Sequence, residues 1–527
     1  MIDDPRGGGR LSTTKWITTS LLIGVLLLGM GLRLWGLDAK GLWQDEIFTA
    51  AIASAENGVL EVMSIPLYNT ALPAPPVYFL ITHFFLFLGD NDFLLRFPAL
   101  AFGVLGLAAA YTLGARLFGR AEGLVGALLL AIAPFHVRYS QDARFYTLLV
   151  FLSLLSVYFL YRGVSSGKRK WFAGFALCNV LNLYNHLFAF LVLAAEVVFV
   201  AGLWVAQAFV RLRRGVASDD GGAGASPAVD TRVASAFGLC LIIIAVAYTP
   251  MAPHLLRGLG GAKGLGGVGG AALDFSSPVR ALDSWGLGSG WRIFALVVPF
   301  AIGVVASARG QWRQLWLACC WIVVPFVALI AVPAGHGFRP RYVLFMLPLY
   351  LILAARGLAA ASTAVSQRLA VRRQHSRPVV LAGLVGAIML ASIPALQAYY
   401  REDRADWRAV AALVASGISP GDVIVSPGPF PQVVMPRYEE SLDEAVFLIG
   451  GSEVLLAREE GQGGGVWFVG PAREKMRAMD EELAEVGVAV DKVVFEVDDT
   501  SAARGRELKI APVMYDDLWV LYAREGL

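Results

Sequence analysis

Two adjacent carboxylates, Asp45 and Glu46, follow closely on the first long apolar run of the chain, from about Trp16 to Leu37. Charge at a membrane surface is costly unless it is used or paired. Neighbouring residues point in different directions on a helix or a strand, so the two are not expected to grip one atom together. The pair reads as one general base and one residue that tunes or orients it, with Asp45 first in line as the base. A solvated helix cap is the plain alternative. Cations and aromatics make the second set. Gln141-Asp142-Ala143-Arg144-Phe145-Tyr146 ends a polar turn and opens a helix, Arg339-Pro340-Arg341 ends another, and Arg96 stands at the end of its own helix. Arginine binds phosphate through paired donors, so Arg144, Arg339, Arg341 and Arg96 are expected to hold a phosphate-bearing ligand. Other roles stay open: Arg144 and Tyr146 as interface anchors, Arg339 and Arg341 as snorkelling side chains, and His186, in Tyr184-Asn185-His186, as a structural hydrogen-bonder.

The elements that must position these residues are membrane helices. The 527 residues are 57% hydrophobic and 16% charged, with a mean hydropathy of +0.61. Soluble chains carry about 25% charged residues, which excludes an ordinary soluble protein. The net charge of +3 is small and gives no sign of a nucleic-acid partner. Cys178, Cys240, Cys319 and Cys320 all lie in apolar runs, with neither a disulfide framework nor a metal-ligand spacing. The first apolar run is too long for a signal-peptide core and is kept as an anchor. A spanning helix needs about 20 apolar residues. Runs of that kind begin near Trp16, Phe97, Glu122, Phe145, Trp171, Leu187, Val233, Trp291, Gln314, Tyr342 and Pro378. They predict a mainly α, polytopic bundle of about eleven transmembrane helices.

One further run, Pro76 to Leu88, covers only about 20 Å at 1.5 Å per residue. Charge decides its role, because cytoplasmic loops collect Lys and Arg. If this run lies in the interface, with Tyr78, Thr82 and His83 on its polar side, every second loop is basic. The inner loops then hold Arg116 and Arg120, Arg162 and Lys168 to Lys170, Arg211 to Arg214, Arg309 and Arg313, and Arg368 to Arg377. The outer side receives a first loop of about residues 38–96, the turns at Phe135–Arg144, Tyr184–His186 and Gly335–Arg341, a Gly-rich loop from about Pro250 to Gly290 with Lys263 in it, and everything after about Tyr399. The residues with chemical potential thus gather on one face. Residues 1–399 are expected to form the membrane module and 400–527 a small α/β domain. In that domain Asp406–Ser416 and Pro471–Val486 read as helices. Val423–Ser426, Gly465–Val469 and Leu518–Ala523 read as strands. Gly463-Gly464-Gly465 precedes a strand and lacks a GK[ST] partner, so it reads as a turn.

Taken together, these residues resemble the C superfamily of integral-membrane glycosyltransferases, in the branch of the protein O-mannosyltransferases and the lipid A aminoarabinose transferase. The resemblance rests on Asp45-Glu46 after the first helix, Pro75-Pro76-Val77-Tyr78, Leu95-Arg96-Phe97-Pro98, and Pro134 with Ser140 to Tyr146. It continues through Tyr184-Asn185-His186, Arg339-Pro340-Arg341-Tyr342 and Leu347-Pro348. Where the family often has His before the Pro-Pro pair, this chain has Ala74. The resemblance implies inverting transfer of a sugar from a polyprenyl monophosphate donor to an acceptor hydroxyl on a glycan, lipid or protein, outside the cytoplasmic membrane. A glycosidase needs a second carboxyl to protonate its leaving group, whereas a phosphate leaves unaided. One base and a set of cations then suffice: Asp45 with Glu46 beside it, and the arginines as clamps. Tyr78, Gln141, Asp142, Tyr146 and His186 are the candidates for contact with sugar or acceptor. Some relatives use a divalent metal, but no ligand cluster in the sequence asks for one. A transporter or flippase of a lipid-linked sugar is the competing reading, as is a membrane-anchored recruiting module.

Overall fold

The computed structural model describes residues 6–68, 74–215, 231–260, 277–287, 290–331, 339–368, 376–402, 404–426, 430–449, 465–471, 474–485, 490–495 and 518–523. Lys263 with most of its Gly-rich loop, Gly335 to Phe338, Arg372, Arg373, Gly463 and Gly464 lie outside these residues.

Helices occupy the expected apolar runs: Arg6–Leu34, Asp92–Leu117, Arg120–Ala131, Tyr146–Ser166, Arg169–Leu183, Ala189–Gly215, Thr231–Tyr248, Phe294–Ala308, Trp312–Ala331, Leu347–Arg368 and Ser376–Tyr400. Among the described residues, eight helices are long and apolar enough to cross a membrane, and one bent pair makes a ninth. The chain is a multi-pass membrane protein. Arg169–Leu183 and Phe294–Ala308, at 15 residues each, are about 22 Å long and fall short of a hydrocarbon core of about 30 Å. Length alone therefore certifies fewer spans than the sequence pattern suggests. The ambiguous run is a helix of 10 residues, Val77–Leu86.

The chain forms two compact units. The first comprises Met1–Trp35, Val59–Ile81 and Pro98–Tyr399. Its centre is the Pro340–Arg368 stretch, 89% buried, against 17% for Trp16–Leu34. Gly303 and Gly357 let Phe294–Ala308 and Leu347–Arg368 approach closely, because a Cβ on either would strike the backbone carbonyl of Leu353 or Pro299. The bent pair, Arg120–Ala131 and Pro134–Ser140, meets at 64°. Pro134 has no N–H to continue the ladder. The Arg33 guanidinium takes up the carbonyls freed there, Ala131 O at 3.1 Å and Leu130 O at 3.3 Å. Its other donors go to Gly29 O, Ser140 Oγ and His136 Nδ1. All five N–H groups of this fully buried arginine are thus used.

The second unit comprises Gly36–Gly58, Thr82–Phe97 and Tyr400–Leu527. Its sheet has the order β2-β1-β3-β5-β4, with β1 Val423–Ser426, β2 Val446–Ile449, β3 Val466–Pro471, β4 Val490–Phe495 and β5 Leu518–Ala523. β1 is parallel to β2 and β3, while β5 is antiparallel to β3 and β4. Trp407–Gly417 is capped by Asp406, whose carboxylate accepts the Ala409 N–H at 3.1 Å. Helix Glu474–Glu485 buries Met476 and Leu483 against Val425, Val466, Phe468 and Leu521. The expected elements are present within two or three residues. Phe430–Tyr438, β2 and β4 are additional.

Candidate active site

The expected site residues fall into two groups, one in each unit. In the second unit, Gln44–Ala53 is a helix whose first turn carries Asp45 and Glu46. Acidic residues suit that position, since the helix N-terminus is electropositive. The two neighbours diverge, as their directions on a helix require. Glu46 is fully buried, whereas Asp45 is half-buried. Arg96 holds Glu46 with both prongs, Nε to Oε1 at 2.7 Å and Nη2 to Oε2 at 2.8 Å. Arg404 Nη1 adds a contact to Oε2 at 3.3 Å. Thr49 Oγ1 donates to the Asp45 carbonyl at 2.9 Å, steadying the same turn.

Arg96 also donates to the carbonyls of Leu37, Lys40 and Gly41. Its five N–H groups are therefore spent inside the fold, and it does not serve as the phosphate donor expected of it. The guanidinium folds the loop before Gln44 around itself and neutralises Glu46. The C-terminal part adds a second cluster beside this one. Asp92 accepts from Arg408 at 2.6 Å, from Arg437 at 3.3 Å and from Tyr438 OH at 2.9 Å. Arg437 also pairs with Asp90. A cavity of about 590 Å³ in this unit is lined by Lys40, Gly41, Glu402, Arg404 and Arg408 among others.

The first unit holds the other group. The Tyr146–Ser166 helix begins straight after Arg144 and Phe145, and the Arg169–Leu183 helix ends at Tyr184. The peptide N–H of Val77 donates to Tyr184 O at 3.0 Å, and Asn185 Nδ2 to Phe145 O at 3.3 Å. These bonds bring three distant turns together. His186 packs at 4.4 Å from the Phe145 ring and 5.9 Å from Tyr146. Tyr78 lies edge-on to Phe145 at 6.3 Å. Arg144 lies 4.4 Å over the Phe145 ring, and Arg341, which is buried, 5.9 Å over Tyr146. Arg144, Arg341, Tyr78, Tyr146 and His186 are thus gathered in one cluster.

His186 Nδ1 accepts the Phe188 N–H at 2.9 Å, so the neutral ring carries its proton on Nε2. Burial, and then the charges of Arg144 and Arg341, push its pKa down to about 3. The group is an uncharged N–H donor between two cations, which suits an anion and not a base. Arg339 is half-buried at the head of the Pro340–Met346 turn. Asp142 is buried, and its carbonyl accepts the Arg144 N–H at 2.6 Å. Gln141 is braced inside the fold. Nε2 donates to Arg33 O and Trp35 O, and Oε1 accepts from Tyr399 OH at 2.7 Å. Its amide is spent on holding the turn that carries Arg144, which corrects the expectation that it touches sugar or acceptor. The sequence reading missed Arg33, Ser140 and Tyr399 as supports. Arg138, 4.8 Å over the Tyr399 ring, went unnoticed as well. A lone arginine inside the first apolar run, in Gly31-Leu32-Arg33, was the available signal.

Residues 73–213 match the family model of the dolichyl-phosphate-mannose-protein mannosyltransferases. A Bacillus subtilis (strain 168) protein called "Putative mannosyltransferase YycA" is 28% identical over 172 residues, 31% of this chain and 25% of that protein. The chain thus spans about a quarter of that curated relative. Among solved structures, apo ArnT from Cupriavidus metallidurans aligns with a TM-score of 0.57 at 13% identity, covering 97% of this chain and 98% of that one. The same protein bound to undecaprenyl phosphate gives 0.55, over 96% and 98%. The chain resembles the C-superfamily membrane glycosyltransferases. The archaeal oligosaccharyltransferase AglB from Archaeoglobus fulgidus, in complex with an inhibitory peptide and a dolichol-phosphate, aligns at 0.51 with 12% identity, over 80% of this chain and 64% of that one. At these identities the solved structures establish the fold: the polytopic helical arrangement of ArnT, with a small five-stranded sheet near the C-terminus.

Proposed function

We propose that the protein transfers a sugar from a polyprenyl-monophosphate-linked donor to an acceptor hydroxyl, with inversion, on the outer face of the cytoplasmic membrane. The observation that carries the reading is the cluster of Arg144, Arg341 and the neutral His186 with Tyr146. In the transfer, the acceptor oxygen bonds to the anomeric carbon, its proton passes to Asp45, and the bond from that carbon to the phosphate oxygen breaks with its electrons. The departing diester becomes a monoester and gains one negative charge. Arg144, Arg341 and the His186 Nε2–H would meet that charge as it develops, with Arg339 as a further cation. Tyr78 and Tyr146, both fully buried in this structure, would border the sugar from within the fold, and the buried Asp142 would stand as a second carboxylate. Arg96 and Gln141 support the two groups without touching substrate. Residues 1–399 would form the membrane module, and 400–527 an extracytoplasmic domain that takes up much of the first outer loop.

The test is turnover of undecaprenyl-phosphate mannose by purified protein against a panel of acceptors: a Ser/Thr peptide, a glycolipid and a wall polysaccharide. Release of undecaprenyl phosphate is expected, and Asp45→Asn should lower it by about 10²–10⁴-fold, the usual worth of a general base. Normal turnover in that variant overturns the base assignment.

One observation favours the transporter reading. Glu196 is fully buried within the Ala189–Gly215 helix, where Ser156 Oγ donates to it at 2.5 Å and Asn179 Nδ2 at 3.0 Å. Carboxyls inside a bundle often mark transport paths. Counterflow of labelled lipid across vesicles without sugar transfer would establish that activity instead.

A further inference from the structure

One glutamate in the second unit is held by more positive charge than its own neutralisation needs. Arg96 alone satisfies Glu46, with two short bonds to its two oxygens. Arg404 adds a second guanidinium at 3.3 Å, although both cations and the carboxylate are almost wholly buried. Withdrawing a further ion from water costs several kcal/mol, on the order of what a buried pair returns, so stability alone is a weak reason to build this triad. The cost becomes intelligible if the second cation sets geometry. Glu46 is the neighbour of Asp45 in the first turn of the Gln44–Ala53 helix. Fixing the Glu46 carboxylate from two sides fixes the rotation of that turn, and with it the position of Asp45.

The chain around Arg404 is built to hold it there. A Cβ on Gly41 would collide with the Ala405 carbonyl, so the loop before Asp45 and the segment after the last membrane helix run against each other. Arg408 donates to Asp38 O and to Asp92. The C-terminal part thus grips the Asp45 loop through Arg404 on one side and Arg408 on the other.

We infer that Arg404 is a positioning residue for the transfer reaction: through Glu46 it holds the turn that carries Asp45, so the C-terminal part of the chain sets the catalytic base. The inference rests on the glycosyltransferase reading and on Asp45 as base. Arg404 touches no substrate in this scheme. Its loss should therefore appear in kcat and leave the KM for the lipid donor unaltered, because the phosphate cluster belongs to the other unit.

The experiment compares full-length wild type, Arg404→Met, Arg404→Lys and Arg408→Met, using undecaprenyl-phosphate mannose and the acceptor that gives turnover. Arg408→Met removes a neighbouring grip and serves as the control for general loosening. Arg404→Met should lower kcat by about 10-fold or more, a shift of about 1.4 kcal/mol in the barrier, with KM for the donor within two-fold of wild type. Arg404→Lys, which keeps the charge, should recover part of the loss. Arg408→Met should lose less kcat at an equal fall in melting temperature. Wild-type kcat in Arg404→Met overturns the inference, as does a loss matched by Arg408→Met or a change confined to KM. Should Arg404→Met not fold, Arg404→Lys decides: a several-fold lower kcat at unaltered KM supports positioning, and wild-type kcat refutes it. Wild-type protein with no transfer on any acceptor overturns the activity reading itself, and is distinguishable from wild-type turnover that Arg404 does not influence.

Discussion

Replacing Arg96 with Met puts the buried triad to a direct test. Methionine keeps much of the apolar stem and removes five N–H donors. Glu46 would then remain fully buried without its two short bonds, keeping the 3.3 Å contact from Arg404 and the 3.4 Å one from the Trp43 N–H. Stranding one partner of a buried pair costs about 3–5 kcal/mol. The carbonyls of Leu37, Lys40 and Gly41 also lose their donor, but those on the loop surface can turn to water, so we take about 4 kcal/mol for the whole. At about 2–4 °C per kcal/mol for a domain of ordinary size, the unit should melt about 8–16 °C lower. The two units need not unfold together. The assay is therefore pulse proteolysis over a temperature ramp, read from a tag after Leu527. The triple variant Glu46→Gln/Arg96→Met/Arg404→Met strands neither the carboxylate nor the buried Arg404 guanidinium and should lie closer to wild type than Arg96→Met does. A shift under about 2 °C in the single variant, or a triple variant no better than the single, would refute the claim that charge pairing organises this loop.

Other outcomes follow from the same geometry. Arg341→Ala and Arg144→Ala should each weaken undecaprenyl phosphate binding by about 10–100-fold, the worth of one charged hydrogen bond; titration with fluorescent lipid measures it, and unchanged affinity for both removes the clamp. His186 has its pKa pushed down to about 3 in the fold, against about 6.5 unfolded, so between those values the unfolded chain binds the extra proton and stability falls as pH falls, by about 1.4 kcal/mol per pH unit. His186→Asn can preserve the bond from Phe188 N and should flatten that slope below about pH 6, and parallel melting curves for the two proteins would contradict the burial argument. Gly41→Val, which forces a side chain onto the Ala405 carbonyl, should cost about 1–3 kcal/mol, read as faster proteolysis of the second unit; an unaffected rate means that the two segments do not lie so close.

Much of this fold is visible in the sequence because membrane helices announce themselves by length and apolarity. In the soluble part, Val423–Ser426 and Leu518–Ala523 are found at the expected bounds, flanked by turn residues that delimit them. The missed elements each lack a clean signal. Phe430–Tyr438 contains Pro431 and Pro436, which argue against a helix. Val446–Ile449 is four apolar residues without alternation, too short to tell strand from helix. β4 puts Asp491 and Lys492 into an edge strand, where charge is common but reads as loop.

The site divides along the same line. Residues that advertise chemistry by type, Arg144, Arg341, Tyr146 and His186, are legible and come together in one cluster. Residues whose work is to hold others are not, because their partners lie far along the chain. Arg404 stands in Arg401-Glu402-Asp403-Arg404, which has the composition of a solvated linker, yet its guanidinium bonds a carboxylate 358 residues earlier. Arg96 and Gln141 show the reverse error: both have the residue type of a ligand contact, and both are saturated by the fold. A guanidinium or an amide can be assigned to a ligand only after its donors have been counted, and that count depends on tertiary neighbours. The same count explains why adjacent Asp45 and Glu46 part company. Two arginines claim Glu46 in the interior, while Asp45, one position earlier on the same turn, stays half-buried.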